Sequence, residues 1–411
     1  MSAPRPAVTI DDACSMIGEA GFGPRAPGVG LELEWFVIRD GAAVCDPELV
    51  RAALLASGPL PGESRVTFEP GGQLEISALP SLDGPSAVER AAHDAAEVMA
   101  RLGAAGLRCV ASGLDAGARR HRVLREPRYR AMEQYFSRQG CAGESMMCST
   151  ASMQVNVGFR DDFDGQWTLA HDLAPVLGAI FAHSPLVGGR PSGWQSTRLA
   201  VWSALDPHRT RPVSTTDNAR DDWTRYALDA PVMLIRRSDD CVVPDGPLTL
   251  RQWIEHGHAA GAPTPDDISY HLTTLFPPVR PRGWLELRVL DALPHPWWQV
   301  AAAITITALT DAELGAQLAP IVRGGAGLGL TAAWWGVHDP ALGATASQIV
   351  AAILPRLVDA GYRDELIATA YDFAQRYPYR GRSLADDRLD EFAAFGALAP
   401  EPEPVPTPTS R

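Results

Sequence analysis

The sequence predicts an α+β protein built on an antiparallel or mixed sheet. Strand-like segments are interleaved with helical segments in the first part of the 411 residues, and the last third is mainly helical. There is no regular strand–helix–strand alternation, and no GxGxxG motif follows a strand. We expect one catalytic domain over residues 1–398 and a disordered, proline-rich tail over residues 399–411.

Helix signals are clear at several points along the chain. We predict helices over Thr9–Ala20, Ser86–Leu102, Gln166–His183 and, in several pieces, Trp297–Phe395. The helix at Ser86 begins with the capping-box pair Ser86 and Glu89. The GGAGLG cluster at 324–329 follows a helical stretch, so we interpret it as a helix end and not as a nucleotide-binding loop.

Four predicted strands carry polar side chains on one face, because residues two apart in a strand point to the same side. The strands cover Val29–Ile38, Val66–Leu79 with an interruption at 70–72, Ser149–Gly158 and Trp284–Asp291. Their one-sided polar residues are Glu32 and Glu34; Gln73, Glu75 and Ser77; Ser152, Gln154 and Asn156; and Glu286 with Arg288. Glu69 precedes the interruption, where a bulge can aim its carboxylate at the same place.

These polar faces have an ordinary explanation, since half-buried strands turn polar residues toward water. Phe36 and Ile38, however, follow Glu32 and Glu34 on the same face, which indicates that this face is covered. Carboxylates gathered on a covered face repel one another unless cations lie between them. Oxygen ligands select hard ions, so we expect Mg²⁺ or Mn²⁺ and polyphosphate chemistry.

All 36 basic residues are arginine, so a phosphate-binding loop with lysine and a lysine Schiff base are both excluded. Phosphate would have to be bound by arginine, backbone N–H groups or metal ions. Arg288, on the carboxylate face, can stabilise a phosphoryl group during transfer. Arg198, Arg209 and Arg280 can bind substrate carboxylates, and a structural ion pair is the alternative for Arg198 and Arg209. The run of arginines at 119–130 fits a phosphate-side flap or a solvated loop equally well.

The charge and cysteine content exclude several classes of function. A net charge of −13 disfavours nucleic acid and anionic membranes as partners. The six cysteines form no CxxC pair, which argues against a zinc ribbon. The sequence shows no signal peptide and no apolar run of about 18 residues, so we expect a reduced, cytoplasmic enzyme without a membrane span.

Several motifs together resemble those of the glutamate–cysteine ligases. They are VGLELEWF, TFEPGGQLEIS, RYRAMEQYF, STASMQVNV, STRLAVW…DPHRT and HLTTLFPPVRPRGWLELRVLDALP. They occur in order over roughly residues 28 to 300, and the resemblance is to the plant enzymes and the actinobacterial enzymes of the ergothioneine pathway. EPGGQLE combined with TTLFPPVR…LELR is the most specific part.

The resemblance implies a glutamine-synthetase-like fold, in which a curved, largely antiparallel sheet forms a funnel with helices outside. It also implies ATP with two or three Mg²⁺ ions, or Mn²⁺, as cofactors. The implied metal ligands are Glu32, Glu34, Glu69, Glu75 and Glu286. The implied catalytic residues are Glu286 and Arg288, and the implied substrate-binding residues are Arg198, Arg280, Trp202, Gln154 and Asn156. Gln154 departs from a histidine ligand found in some bacterial relatives.

The implied reaction joins the γ-carboxylate of glutamate to the amine of cysteine through γ-glutamyl phosphate, for ergothioneine or another low-molecular-weight thiol. Three alternatives stay open: a glutamate ligase with another amine acceptor, a metal-dependent phosphohydrolase or phosphotransferase, and a non-catalytic binding protein. We expect Glu34→Ala and Glu286→Ala to abolish turnover and leave the fold intact. The sequence gives no guide to the oligomeric state.

Overall fold

The computed structural model describes residues 8–23, 28–40, 42–44, 46–117, 121–138, 140–236 and 240–396. The predicted tail at 399–411 and Arg119 and Arg120 of the basic run lie outside these residues. The strands are β1 (Val29–Arg39), β2 (Ala42–Ala43), β3 (Arg65–Phe68), β4 (Leu74–Ser77), β5 (Arg108–Val110), β6 (Ser152–Val157), β7 (Leu186–Val187), β8 (Arg190–Pro191), β9 (Ile235–Arg236), β10 (Cys241–Val242), β11 (Val279–Pro281) and β12 (Leu285–Asp291).

The helices surround these strands and make up the C-terminal third. The α-helices are α1 (Ile10–Phe22), α2 (Pro47–Leu55), α3 (Gly84–Ala104), α4 (Pro127–Ser137), α5 (Ala142–Ser149), α6 (Phe163–Ile180), α7 (Thr197–Ser203), α8 (Pro207–Thr210), α9 (Ala219–Asp229), α10 (Leu250–His256), α11 (Pro265–Leu272), α12 (Trp297–Thr310), α13 (Ala312–Val322), α14 (Gly329–Trp335), α15 (Pro340–Asp359), α16 (Asp364–Arg376) and α17 (Leu384–Phe395). Short 3₁₀ helices are η1 (Gly325–Leu328), η2 (Gly336–His338) and η3 (Pro378–Arg380).

The main sheet has the strand order β11–β12–β6–β1–β4–β3, and β2 and β5 also pair with β1. Every pair in it is antiparallel, as the sequence predicts. The long strand β1 lies between β6 and β4, so it presents its carboxylates at the centre of the sheet.

The apolar face of the sheet packs against helices. Leu31, Leu33, Val155 and Ile76 are each at most 3% exposed, and α3, α6 and α12 contact the strands on this side. The alternation in β1 therefore has the expected cause: one set of side chains forms the core, and the other set faces the opposite side of the sheet.

The segment 65–77 is a hairpin and not one strand with a bulge. The amide of Glu69 donates to the Gln73 carbonyl (2.9 Å) and that of Gly72 donates to the Glu69 carbonyl (2.8 Å). Gly72 has a φ of +85°, which glycine adopts without strain and which closes the tight turn. Gln73 lies in this turn and donates to the carbonyls of Met147 and Thr150, so it does not share a strand face with Glu75 as predicted.

The helices predicted at Thr9–Ala20, Ser86–Leu102 and Gln166–His183 all form, with ends that differ from the prediction by one to three residues. Thr9 caps α1 in a capping box with Asp12. Helix α3 begins earlier than expected, because the side chain of Asp83 accepts the amide of Ser86 and takes the capping role. Near residue 324, Asp172 accepts the amides of Gly324 and Ala326. Helix α13 ends at Val322 and Gly324 has a φ of +77°, as expected for a helix end, but residues 325–328 form η1 and Gly329 begins α14.

One helix among the described residues, Pro340–Asp359, is long and apolar enough to cross a membrane by length and composition alone. Its buried residues are Leu342, Ala346, Ile349, Val350, Ile353, Leu354 and Leu357. They recur at the three- and four-residue spacing of a helix that covers a protein core along one face. Helix α15 accordingly packs against α6, α12, α13 and α16.

Candidate active site

The strand register places the predicted polar residues in neighbouring rows on one face of the sheet. Glu34 is opposite Glu75, and Glu32 is opposite both Ser77 and Gln154. Glu286 is opposite Asn156 on one side and Arg280 on the other. Directly opposed residues share a face in an antiparallel sheet, so five separate chain segments contribute to one polar surface.

Three carboxylates on this surface converge. One oxygen from each of Glu34, Glu69 and Glu75 lies within 4.8 Å of the other two. Glu34 is only 8% exposed and accepts the amide and hydroxyl of Ser152, both at 2.8 Å. We refer to Glu34, Glu69 and Glu75 as the carboxylate triad.

Neighbouring hydroxyl groups orient the third carboxylate of the triad. Thr67 and Ser77 donate to the same Glu75 oxygen at 2.9 and 2.8 Å. Thr67 on β3 pairs with Glu75 across the hairpin, while Ser77 follows on the same face of β4. The second Glu75 oxygen receives neither of these bonds and is oriented by them.

Burial and mutual repulsion raise the pKa values of the carboxylic acids in this group. Burial, with Glu286 and Glu75 nearby, raises the pKa of Glu32 to about 7. Burial and the Glu75 charge raise the pKa of Glu34, and burial with Glu34 and Glu75 raises that of Glu69 well above its ordinary value. Such a group is stable near neutral pH when protons or a cation neutralise it. Its all-oxygen donor set fits a hard divalent cation.

Glu286 has a different environment from the triad. Its oxygens accept Arg280 at 2.6 and 3.0 Å, Arg282 at 3.1 Å and Arg288 at 3.2 Å. Burial alone would raise the pKa of Glu286, but these arginines hold it well below its usual range. Both oxygens are thus engaged by guanidinium groups, and the predicted metal-binding and catalytic roles of Glu286 gain no support from this geometry. The arrangement supports a role in anchoring arginines.

Arg288 lies in a β-bulge. Between the pairs Leu287–Val155 and Leu290–Met153, two residues of β12 oppose the single residue Gln154. Bulges redirect side chains next to functional sites. Here Arg288 donates to the Gln154 side-chain oxygen at 2.6 Å. Its guanidinium also lies 5.6 and 5.8 Å from the ring centres of Trp202 and Phe276.

The two predicted carboxamides connect charged side chains. Gln154 accepts Arg288 and donates to Glu34 at 3.3 Å, so it links the arginines to the carboxylate triad. Asn156 donates to Glu32 at 3.0 Å and accepts the indole N–H of Trp284 at 3.0 Å. Both residues therefore orient charged neighbours, while their predicted contact with substrate stays a prediction.

Arg198 and Arg280, predicted to bind substrate, are both buried. Arg198 is 2% exposed and donates to the backbone carbonyl of Arg288 at 2.7 Å. Arg280 is 7% exposed and is paired with Glu286. Arg209, the third candidate, bonds the Thr274 and Pro231 carbonyls and pairs with Asp206, which matches the structural alternative.

Helix α4 lies beside the triad, a position the sequence did not predict for Tyr129. Burial, with Glu69 nearby, raises the pKa of Tyr129 to about 12, so its hydroxyl is a proton donor at neutral pH. The amides of Val123 and Leu124 donate to the carbonyl of Pro70 in the hairpin turn. The arginine-rich segment, predicted to be either a phosphate-side flap or a solvated loop, thus contacts the turn that carries Glu69. Arg282 and Phe276 are further site neighbours that strand alternation could not identify.

Comparison with known proteins shows the family to which the chain belongs. The model of glutamate–cysteine ligase family 2 (GCS2) matches residues 28–324. The chain belongs to glutamate–cysteine ligase family 2. Two relatives show the same relationship. Glutamate–cysteine ligase EgtA of Mycolicibacterium smegmatis is 42% identical over 302 residues, 71% of each chain. The chloroplastic glutamate–cysteine ligase of Brassica juncea is 30% identical over 256 residues, 59% of this chain and 48% of that one.

A solved structure shows that the fold is shared with more distant ligases. The glutamate–cysteine ligase of Francisella tularensis, in complex with AMP, has a TM-score of 0.55 to this chain at 12% identity. The match covers 91% of this chain and 86% of the other. The resemblance to family 2 and the predicted fold class are therefore both confirmed.

Proposed function

We propose that this family 2 protein is an ATP-dependent ligase that joins the γ-carboxylate of glutamate to the amine of cysteine, in the cytoplasm, for a low-molecular-weight thiol such as ergothioneine. The observation that carries the proposal is the carboxylate triad beside the arginine group of Glu286, within a chain that is 42% identical to a glutamate–cysteine ligase. A site with adjacent cation-binding and anion-binding halves suits a nucleotide triphosphate and an amino acid substrate.

In the proposed reaction, an oxygen of the glutamate γ-carboxylate attacks the γ-phosphorus of ATP. The bond from this phosphorus to the β–γ bridging oxygen breaks, and ADP leaves. The cysteine nitrogen then attacks the acyl carbon of γ-glutamyl phosphate, the C–O bond to phosphate breaks, and the amine releases a proton. Phosphorylation supplies the leaving group that a carboxylate lacks.

The chain's own residues support the phosphoryl-transfer part of this scheme. Arg288 is oriented by Gln154 and Glu286 and can donate to phosphoryl oxygens as charge develops. Trp202 and Phe276 flank it and can keep water from the acyl phosphate. Glu34, Glu69 and Glu75, with Glu32 beside them, would hold two or three Mg²⁺ ions, or Mn²⁺. When bound, such ions neutralise the triphosphate charge and screen it from the incoming carboxylate.

Arg280 and Arg282 widen the anion-binding half of the site. Arg282 is about half exposed at its side chain and lies 5.6 Å from the ring centre of Trp284. One edge of the Arg282 guanidinium is held by Glu286, and the other edge can bind a substrate carboxylate. We therefore propose that Arg282, together with the predicted Arg280, binds either the glutamate substrate or the phosphate groups.

The proposal is tested by product analysis with the purified full chain. ADP release and mass-spectrometric products are measured with ATP and Mg²⁺ plus glutamate alone, cysteine alone, or both. We expect γ-glutamylcysteine and stoichiometric ADP only when both amino acids are present. ADP or phosphate release independent of the amino acids would favour the phosphohydrolase alternative. A γ-glutamyl product with another amine, at higher kcat/KM than with cysteine, would change the acceptor and keep the reaction class.

A further inference from the structure

The backbone of Arg288, in the bulge of β12, makes two hydrogen bonds outside the β6–β12 pairing. The Arg288 amide donates to the carbonyl of Pro278 at 2.9 Å. Its carbonyl accepts the side chain of Arg198 at 2.7 Å. A buried backbone carbonyl requires a partner, so the arginine of α7 stabilises the bulged backbone in this orientation.

Arg198 is in turn held by one buried carboxylate. Asp291 lies 3.7 Å from the Arg198 guanidinium, and the two side chains are 1% and 2% exposed. Asp291 accepts the amide of His183 at 2.8 Å and the hydroxyls of Ser184 and Ser196 at 2.8 and 2.9 Å. Three short hydrogen bonds fix this carboxylate, and with it the place of Arg198.

The same bulge explains why the Asp291 side chain can reach Arg198. Leu285, Leu287 and Val289 alternate with Glu286 and Arg288, so an unbroken strand would place Asp291 on the apolar side. The extra residue shifts the alternation, and Asp291 is opposite Ser152 on the polar face. One irregularity therefore sets both the direction of Arg288 and the position of the carboxylate behind it.

We propose that Arg198 and Asp291 are positioning residues, which hold the bulge so that Arg288 reaches Gln154 and the substrate phosphate. The proposal rests on the function proposed above. It reassigns Arg198 from substrate binding to support of Arg288. The guanidinium of Arg198 contacts the backbone of Arg288, and its side chain is nearly inaccessible.

Geometry is tested first, independently of activity. A crystal structure of Arg198→Met should show the Arg288 guanidinium displaced and its 2.6 Å contact with Gln154 lost. The Arg198→Lys protein, which keeps one donor for the carbonyl, should retain the bulge. An Arg288 position unchanged in Arg198→Met would overturn the proposal even if the protein proves to catalyse another reaction.

Kinetics provide the second test. We expect Arg198→Met and Asp291→Asn each to lower kcat by about 10- to 100-fold, with KM for glutamate and ATP changed less than about twofold. The kcat of Arg198→Lys should lie between that of Arg198→Met and that of the wild type. In an Arg288→Met background, measured by single turnover, Arg198→Met should cause little further loss, because the two residues act as a unit.

Two outcomes would contradict this. Arg198 Nε and Nη1 have no hydrogen-bond acceptor among the described residues, so direct binding of a substrate carboxylate would use them. A rise in the KM for glutamate with kcat preserved would establish that Arg198 binds substrate. It would overturn the proposal that Arg198 positions Arg288. Additive losses in the Arg288→Met background would also overturn it.

Asp94→Asn is the matched control. Asp94 is likewise buried and accepts three hydrogen bonds, from the amides of Gly62 and Ser64 and the hydroxyl of Ser64. It lies on α3, away from the bulge. We expect this variant to lower Tm as Asp291→Asn does while kcat stays at the wild-type level. Equal kcat losses in both variants would indicate general destabilisation and count against a positioning role.

Discussion

Glu34 lies directly opposite Glu75 across the antiparallel pair β1–β4, so the strand register itself brings two carboxylates together. The hairpin turn next to Glu75 adds Glu69, and one oxygen from each of the three residues lies within 4.8 Å of the others. Such a group is a source of repulsion unless protons or a cation neutralise it, and its oxygen donors suit a hard divalent cation.

Replacing one member of the triad should separate activity from folding. We expect Glu34→Gln to lower kcat/KM at least about 100-fold, because one ligand charge is lost at the phosphate-binding site. Without metal, the Tm of Glu34→Gln should equal or exceed that of the wild type, because the repulsion of Glu34 by Glu69 and Glu75 is removed. Differential scanning fluorimetry with and without Mg²⁺ checks this, and the Mg²⁺-dependent rise in Tm should shrink.

An exposed glutamate serves as the control for that experiment. Glu89 forms a surface pair with Arg363 at 3.3 Å. Glu89→Gln should leave kcat/KM and the Mg²⁺ response unchanged, because exposed pairs contribute little. A Glu34→Gln protein with wild-type turnover would remove the triad from the mechanism.

Stability of the metal-free protein should fall as pH rises. The pKa of Glu32 is about 7 in the folded chain against an ordinary value of 4.5, and the pKa values of Glu34 and Glu69 are also raised. The folded state therefore binds these protons more tightly. The stability that these groups contribute is fully present below their pKa in the unfolded chain. It is lost as pH rises through their pKa in the folded chain. For Glu32 this loss falls between about pH 4.5 and 7.

Urea unfolding in EDTA across this range measures the effect. Glu32→Gln should reduce the slope of unfolding free energy against pH, because one of the shifted groups no longer titrates. Added Mg²⁺ should stabilise the wild type more at the alkaline end, since bound metal displaces protons. An equal Mg²⁺ effect at both ends of the range would argue against cation binding at these carboxylates.

Glu286→Ala should destabilise the fold, which revises the expectation from sequence. Removing this carboxylate leaves the buried Arg280 and the partly buried Arg288 without their main partner. Breaking a buried ion pair in this way costs about 3 to 5 kcal/mol of unfolding free energy. Urea denaturation checks the value. As a comparison, Arg282→Met removes only the partly exposed pair and should cost about 1 kcal/mol or less.

Gly71→Ala should disturb the turn that carries Glu69. A Cβ at this position would overlap the backbone of Cys148 in α5, so the hairpin or the helix must move. We expect a lower Tm and a weaker Mg²⁺ response. Gly103→Ala is the matched control, because the space around Gly103 is open and alanine favours a helix. Its Tm should be equal to or above that of the wild type, with activity unchanged.

The strand alternation alone predicted most of the residues that share the polar face of the sheet. Glu32, Glu34, Glu75, Gln154, Asn156, Glu286 and Arg288 share the polar face because alternation is a local property of a strand. The motifs then identified the family, and the antiparallel order of the sheet followed the predicted fold class. The amino-acid types also led to the expected ligands, since oxygen donors suit hard cations and arginines suit anionic groups.

The tertiary structure decided which of these residues act together. Strand register joined Glu34 to Glu75, and a hairpin in place of a bulge brought in Glu69. The real bulge lies in β12 and turns Asp291 toward Arg198, a pairing between residues far apart in sequence. The family resemblance assigned Glu286 to the metals, but its carboxylate accepts hydrogen bonds from arginines of β11, β12 and the turn between them. Alternation fixes which way a side chain points, whereas its charge environment depends on the chain segments that fold against it.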